Sequence, residues 1–190
     1  LIDLGKQPYA NKYPTLNNFK NEIINNLLID ICINCFTAFT KKISSRRSMF
    51  EEYFYLSSVN KELVDHFKLL SNIIPKGCTL LDIGSNDGIF LKPLIEKGVK
   101  AIGIDPSKNV GKIANDNNLE TVIGFFDEKN TNFILKKYGK FDYIVASSIF
   151  THVENSHEFI ENICKLLKKD SIFILEIEYV KNIIQNVEFE

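Results

Sequence analysis

From residue 77 onward, short apolar runs alternate with amphipathic stretches. Thr79–Ile83, Ala101–Ile104, Glu120–Ile123, Phe141–Ala146 and Ser171–Ile177 are strand-length and rich in β-branched residues, which predicts five strands. Between them, Ile89–Lys97, Ser107–Asn117, Asp127–Tyr138 and Ser156–Lys169 read as helices. Strict alternation of the two predicts an α/β fold of Rossmann-like architecture, a mostly parallel sheet with helices on both faces. The strands are apolar almost throughout, as expected of a sheet covered on both sides.

Upstream the pattern differs. Val59, Leu63, Val64, Phe67, Leu70 and Ile74 recur at helical spacing, with Ser58 or Asn60 as a cap and Pro75-Lys76-Gly77 as a stop. Residues 1–48 are rich in Asn and Lys, contain Pro8 and Pro14, and have poor periodicity, which predicts a small irregular unit. The expected organisation is thus an N-terminal unit over 1–48, a linker and packing helix over 49–76, and an α/β domain over 77–190. Glu178–Glu190 reads as the start of a further helix, and a doubly wound sheet needs cover beyond its fifth strand. With a first residue that is not Met, this predicts a partial sequence, short at both ends.

Composition narrows the function classes. A hydrophobic content of 45% and a charged content of 25% are ordinary for a globular domain. A net charge of -1 gives no electrostatic footprint for nucleic acid or an anionic membrane. No apolar run approaches the roughly 20 residues that span a bilayer, and the first residues lack a signal-peptide pattern. Cys32, Cys35, Cys78 and Cys164 are too scattered for a disulfide framework, so a reducing cytoplasm is expected.

The chemistry centres on Leu80-Leu81-Asp82-Ile83-Gly84-Ser85-Asn86-Asp87-Gly88, a strand running through a Gly-bracketed turn into a helix. Gly84 and Gly88 let backbone pass close to a ligand, and N–H groups at the helix start would face a carboxylate or phosphate. A dinucleotide fingerprint would place glycines where Asn86 and Ile89 stand. Asp82 instead suits a ligand with an ammonium group, such as the methionine part of S-adenosylmethionine. Asp82, Gly84, Ser85, Asn86 and Gly88 are therefore expected to bind that cofactor; a tight turn with no ligand is the alternative. Asp105, ending the second strand before Pro106 and Ser107, can accept hydrogen bonds from both ribose hydroxyls or form a helix-capping turn.

Past the third strand, Phe125 or Phe126 would stack on the adenine or pack in the core. Ser147, after the fourth strand, would line the far side of the cofactor or cap its loop. His152 opens the next segment on the ligand-binding edge of the sheet, as a general acid or base or as a loop histidine. His66 and His157 read as surface residues. Cys32-x-x-Cys35 is half of a tetrahedral zinc set, with no second pair in the chain.

These stretches resemble the S-adenosylmethionine-dependent nucleotide-sugar C-methyltransferases, which have a zinc-binding N-terminal unit, a class I methyltransferase domain and a C-terminal domain. The likeness rests on Leu1–Pro8, Cys32-x-x-Cys35, Tyr53–Ser58, Leu81–Gly88, Val122–Phe126 and His152-Val153, in the family's order. Departures are Phe36 in place of a Gly, Ser147-Ser148 in place of an Asn pair, and Glu178 in place of a Pro. The resemblance implies methyl transfer to carbon beside the ketone of a 4-keto-deoxy nucleotide sugar. It further implies that His152, Tyr55 and Tyr53 face the sugar, and that the main base follows Glu190. Structural zinc would be held by Cys32 and Cys35 with partners upstream of this chain. An O- or N-methyltransferase acting on a sugar or small metabolite, or a non-catalytic cofactor-binding chain, are the alternatives.

Overall fold

The computed structural model describes residues 2–10, 14–41 and 45–186. Contacts divide the chain into two compact units, Leu1–Phe54 with Glu178–Glu190 and Tyr55–Ile177.

The first unit is built on an antiparallel sheet of β1 (Ile2–Pro8), β2 (Ile24–Ile31) and β3 (Ala38–Thr40), with β2 in the middle. This corrects the expectation of irregular structure. Most of β1 is exposed, so its residues obey backbone pairing and not a buried face, and no apolar alternation marks the strand. The unit also holds the short helix α1 (Arg46–Phe50), and the predicted further helix occurs as α7 (Val180–Asn186). Residues 187–190 of that predicted stretch lie outside the described residues.

In the second unit, Asn60 caps α2 (Lys61–Asn72), its Oδ1 accepting from the amides of Glu62 at 2.9 Å and Leu63 at 3.3 Å. Strands β4 (Thr79–Ile83), β5 (Lys100–Asp105), β6 (Thr121–Ile123), β7 (Phe141–Ser147) and β8 (Leu167–Glu176) follow. They form one sheet in the order β6-β5-β4-β7-β8, every pairing parallel. Successive residues of a strand face opposite ways, and the two faces bury separate cores. Leu81, Ile83, Ile102, Ile104, Ile144 and Ala146 join Ile134 of α5 (Glu128–Tyr138) and Phe159 and Ile163 of α6 (Ser156–Leu166). Leu80, Ala101 and Val145 meet Ile74, Phe90 and the α3 (Leu91–Glu96) residues Leu91 and Leu94, with Phe67 and Leu70 of α2 packed alongside. Helix α4 (Lys108–Asp116) buries Val110 and Ala114 beside β5 and β6.

The predicted helix to Lys169 ends at Leu166, because Leu167 leaves helical geometry and pairs with Phe141. Asp170, at φ 61, lies where the ladder shifts register, and pairing resumes with Ile172 opposite Tyr143. No helix among the described residues is long and apolar enough to cross a membrane.

Candidate active site

Parallel register aligns the strand ends. Ile83 lies opposite both Ile104 and Ala146, Asp105 opposite Ile123, and Ser147 opposite Glu176. From β4 the chain winds outward through β5 and β6, then returns to β7 on the other side. Open α/β sheets bind ligands at such a reversal, outside the carboxyl ends of their strands. The turn after β4 stands there.

Gly84, Asn86 and Gly88 all take left-handed backbone, with φ of 76, 49 and 83°. A side chain on Gly84 would press on Ile149, and one on Gly88 on Leu119, so glycine is favoured at both by space as well as by backbone. Asp105 then fixes the turn to β5. Its Oδ2 accepts from the Asn86 amide at 2.9 Å and its Oδ1 from the Ser107 amide at 2.8 Å. The capping turn expected of Asp105 is thus present, and the Ser107 side chain bonds the same carboxylate.

Asp82, Asp87 and Asp105 are all buried, with 6% or less exposure. Burial pushes the Asp82 carboxyl well above the usual carboxylate range, and the nearby Asp105 adds to the effect. Asp105 is raised less, because the Ser107 and Asn86 amides oppose its desolvation. The turn therefore gathers more acidic groups than it can charge at no cost, and a cationic ligand would relieve that.

A strap absent from the sequence-based expectations crosses this turn. Residues Ser57–Val59 form a 3-10 turn whose amides reach the Gly loop: Ser57 N–H donates to Asn86 Oδ1 at 3.0 Å and Ser58 N–H to Asp87 Oδ2 at 3.3 Å. Asn86 Nδ2 donates to the Tyr55 carbonyl at 3.2 Å, and the Ser58 hydroxyl also bonds Asp87. Tyr55 is thereby held beside the Gly turn. The signal lay in the Asn-Asp pair inside the turn, whose side chains suit backbone donors as well as a ligand.

The remaining residues fall in different places. Ser85 is 1% exposed, packed so closely on β5 that a side chain at Gly103 would strike it. Phe126 packs edge-to-face on Phe159 in the core, with ring centres 5.3 Å apart, whereas the Phe125 carbonyl accepts from Asn130 Nδ2 at 2.8 Å. Pro106 follows Asp105 and is half-buried. Ser147 ends β7 and donates to Glu176 Oε2 at 3.2 Å. His152 is exposed in the turn Phe150–His152 that follows Ile149. His66, read as a surface residue, is half-buried and also meets Glu176 Oε2, at 3.1 Å. Tyr53 belongs to the other unit, its ring 5.9 Å from that of Phe50.

Cys32 and Cys35 also lie in that other unit, in the link between β2 and β3. Cys32 N–H donates to the Thr37 carbonyl and its own carbonyl accepts from Phe36, whose φ of 60° is the glycine-like backbone noted for this position. The Thr37 hydroxyl and backbone, with Cys32, hold the Cys35 thiol below its usual range. Two thiols are half of what zinc needs, and no group of three or more His, Cys, Asp or Glu that could hold a metal occurs among the described residues. The residues present do not make a complete zinc site.

Comparison with known proteins accords with the fold and the turn. A family model described as a methyltransferase domain matches residues 55–182. The C-methyltransferase NovU of Streptomyces niveus is 23% identical over all of this chain and 47% of its own length. A ubiquinone biosynthesis O-methyltransferase of Pelagibacter ubique is 30% identical over 62% of this chain and 49% of its own. The chain thus spans about half the length of these relatives. Among solved structures, the plantazolicin methyltransferase BpumL, bound to a desmethylPZN analogue and SAH, superposes with a TM-score of 0.51 at 21% identity, over 67% of this chain and 48% of that one. DesVI of Streptomyces venezuelae gives a TM-score of 0.51 at 16% identity, over 64% and 53%. From the parallel sheet, the Gly turn at its point of reversal and the family match over most of the chain, the protein belongs to the methyltransferase-domain family and carries a class I, S-adenosylmethionine-dependent methyltransferase domain.

Proposed function

We propose that this chain is the cofactor-binding part of a C-methyltransferase whose acceptor is the carbon beside the ketone of a 4-keto-deoxy nucleotide sugar. The observation that carries the cofactor half is the buried pair Asp82 and Asp105 beneath a left-handed Gly turn. The C-methyl half rests on the residues of the family resemblance and on the alignment with NovU, which runs the whole chain where the ubiquinone enzyme covers 62%. The higher identity of that second relative, 30%, favours O-methylation as the other reading.

Asp82 takes the cofactor's ammonium and Asp105 its ribose hydroxyls, on a carboxylate already oriented by Asn86 and Ser107. The backbone of Gly84, Ser85, Asn86 and Gly88 passes beside the methionine part, Pro106 bounds the ribose, Phe125 stacks on the adenine and Ser147 closes the far side. Bound S-adenosylmethionine supplies an electrophilic methyl group. Tyr55, fastened by the strap, and His152 face the acceptor and carry charge or protons there. Positioning the acceptor carbon in line with the methyl accounts for much of the rate, since alignment alone is worth several kcal/mol, about 7–11 at best. Cys32 and Cys35 contribute half of a structural zinc set. A reducing cytoplasm belongs to the same reading, since four cysteines so scattered do not make a disulfide framework.

Calorimetric titration with S-adenosylhomocysteine tests the cofactor assignment. Binding is expected to the native chain, to fall at least about tenfold in Asp105→Ala as two ribose bonds are lost, and to be absent for NADH. A folded chain that binds NADH and not S-adenosylhomocysteine would refute it.

A further inference from the structure

The carboxyl ends of β7 and β8 hold a cluster only partly used above. Glu176 Oε2 is met from two directions, by Ser147 Oγ at 3.2 Å and by His66 Nε2 at 3.1 Å. These groups come from β7, β8 and α2, and His66 and Glu176 are 110 residues apart in sequence. The second oxygen, Oε1, accepts no hydrogen bond from any described residue. Both side chains are 43% exposed, so their ion pair is worth at most about 1 kcal/mol to the fold. Stability therefore gives little reason for the arrangement, whereas its place does: Glu176 lies directly opposite Ser147, on the edge where an acceptor would approach.

We propose that Glu176 is a general base for the methyl acceptor, with His66 and Ser147 as positioning residues that clamp Oε2 and aim Oε1. This rests on the C-methylation reading above and supplies a base within this domain itself. Oε1 takes the proton from the carbon beside the ketone, and the C–H electron pair becomes the enolate. The enolate carbon bonds to the sulfonium methyl as the S–CH3 bond breaks, and that bond's pair stays on sulfur in the neutral thioether product. Glu176 then passes its proton to water.

The test uses the 190-residue chain with S-adenosylhomocysteine bound, in D2O, with a nucleoside-diphosphate 4-keto-6-deoxyhexose. Proton NMR follows loss of the signals next to the ketone, over the protein-free rate. Glu176→Gln is expected to slow protein-dependent exchange at least about 100-fold, while S-adenosylhomocysteine affinity stays within about twofold and reports that the variant is folded. His66→Gln keeps an N–H donor and is expected to exchange within about threefold of the native rate, whereas His66→Leu falls at least about tenfold. Exchange that persists in Glu176→Gln overturns the assignment of Glu176, whereas a native chain that binds S-adenosylhomocysteine yet exchanges nothing overturns the C-methylation reading and the proposal with it. A native chain that fails to bind S-adenosylhomocysteine overturns the cofactor reading instead, and the titration tells the two apart.

Discussion

Asp82 is placed where its charge is least welcome: buried on β4, with Asp105 nearby. Asp82→Asn removes that conflict. The variant is expected to be more stable to urea than the native chain at neutral pH, by on the order of 1 kcal/mol, and to bind S-adenosylhomocysteine at least about tenfold more weakly, because the ligand's ammonium loses its ionic partner. A variant that lost stability and kept affinity would show that Asp82 serves the fold and not the ligand. The sign of the pH effect follows from the raised pKa. Stability from the neutral carboxyl is complete below the ordinary aspartate value and is lost as pH rises towards the raised one. The ammonium favours the carboxylate, so affinity should climb with pH over that same window and then level off. Titrations across a pH series, in buffers of different ionisation enthalpy, would detect the proton released on binding.

Among the elements, the 3-10 strap Ser57–Val59 is tied to the Gly turn through Asn86 and Asp87. Asn86→Gly removes the side chain without straining its φ of 49°. Hydrogen exchange at the Ser57 amide is expected to quicken about tenfold, the worth of one hydrogen bond of about 1.4 kcal/mol. An unchanged rate would mean that the strap holds itself. This element also marks what the sequence could and could not disclose. Strands β4, β5 and β7 were legible as runs of buried apolar residues such as Leu80-Leu81 or Ile144-Val145-Ala146, β6 and β8 by apolar content alone, and the Gly turn because its two glycines bracket three polar residues. The contacts of Ser57 with Asn86 and of His66 with Glu176 were not, since no period relates residues that meet only after the sheet is assembled. Strand β1 was missed for a different reason: its paired backbone, largely solvated, leaves no hydrophobic signature, whereas the apolar run Leu27-Leu28-Ile29 of β2 lacks a strand's alternation. The boundary between α6 and β8 was misplaced because Leu167-Lys168-Lys169 suits a helix end as well as a strand start, and pairing with Phe141 decided it.

At the scale of the whole α/β unit, three strands are fastened together at the edge opposite the site. Asp142 of β7 accepts from the Thr79 amide and hydroxyl of β4, both at 2.8 Å, and from Lys168 Nζ of β8 at 2.9 Å. The Thr79 amide, then Lys168, hold its carboxyl down to about 2. Its contribution to stability is complete above the ordinary value of 3.8 and fades as pH falls through about 2. The side chain is 35% exposed, so we expect Asp142→Asn to cost only about 1 kcal/mol at neutral pH, after discounting for solvent screening. Native and variant denaturation curves should converge in acid, and a gap that persists there would point to packing in place of charge. The strand order has a consequence for how the molecule comes into being. Central strand β4 has β7 as one of its two neighbours, and Thr79 and Asp142 stand 63 residues apart. Closing so long a loop precedes any reward from pairing, which slows folding. On the ribosome, β4 and its Gly turn would emerge early and wait, one flank bare, until β7 is synthesised. A nascent chain therefore has no finished cofactor site until β7 has been made.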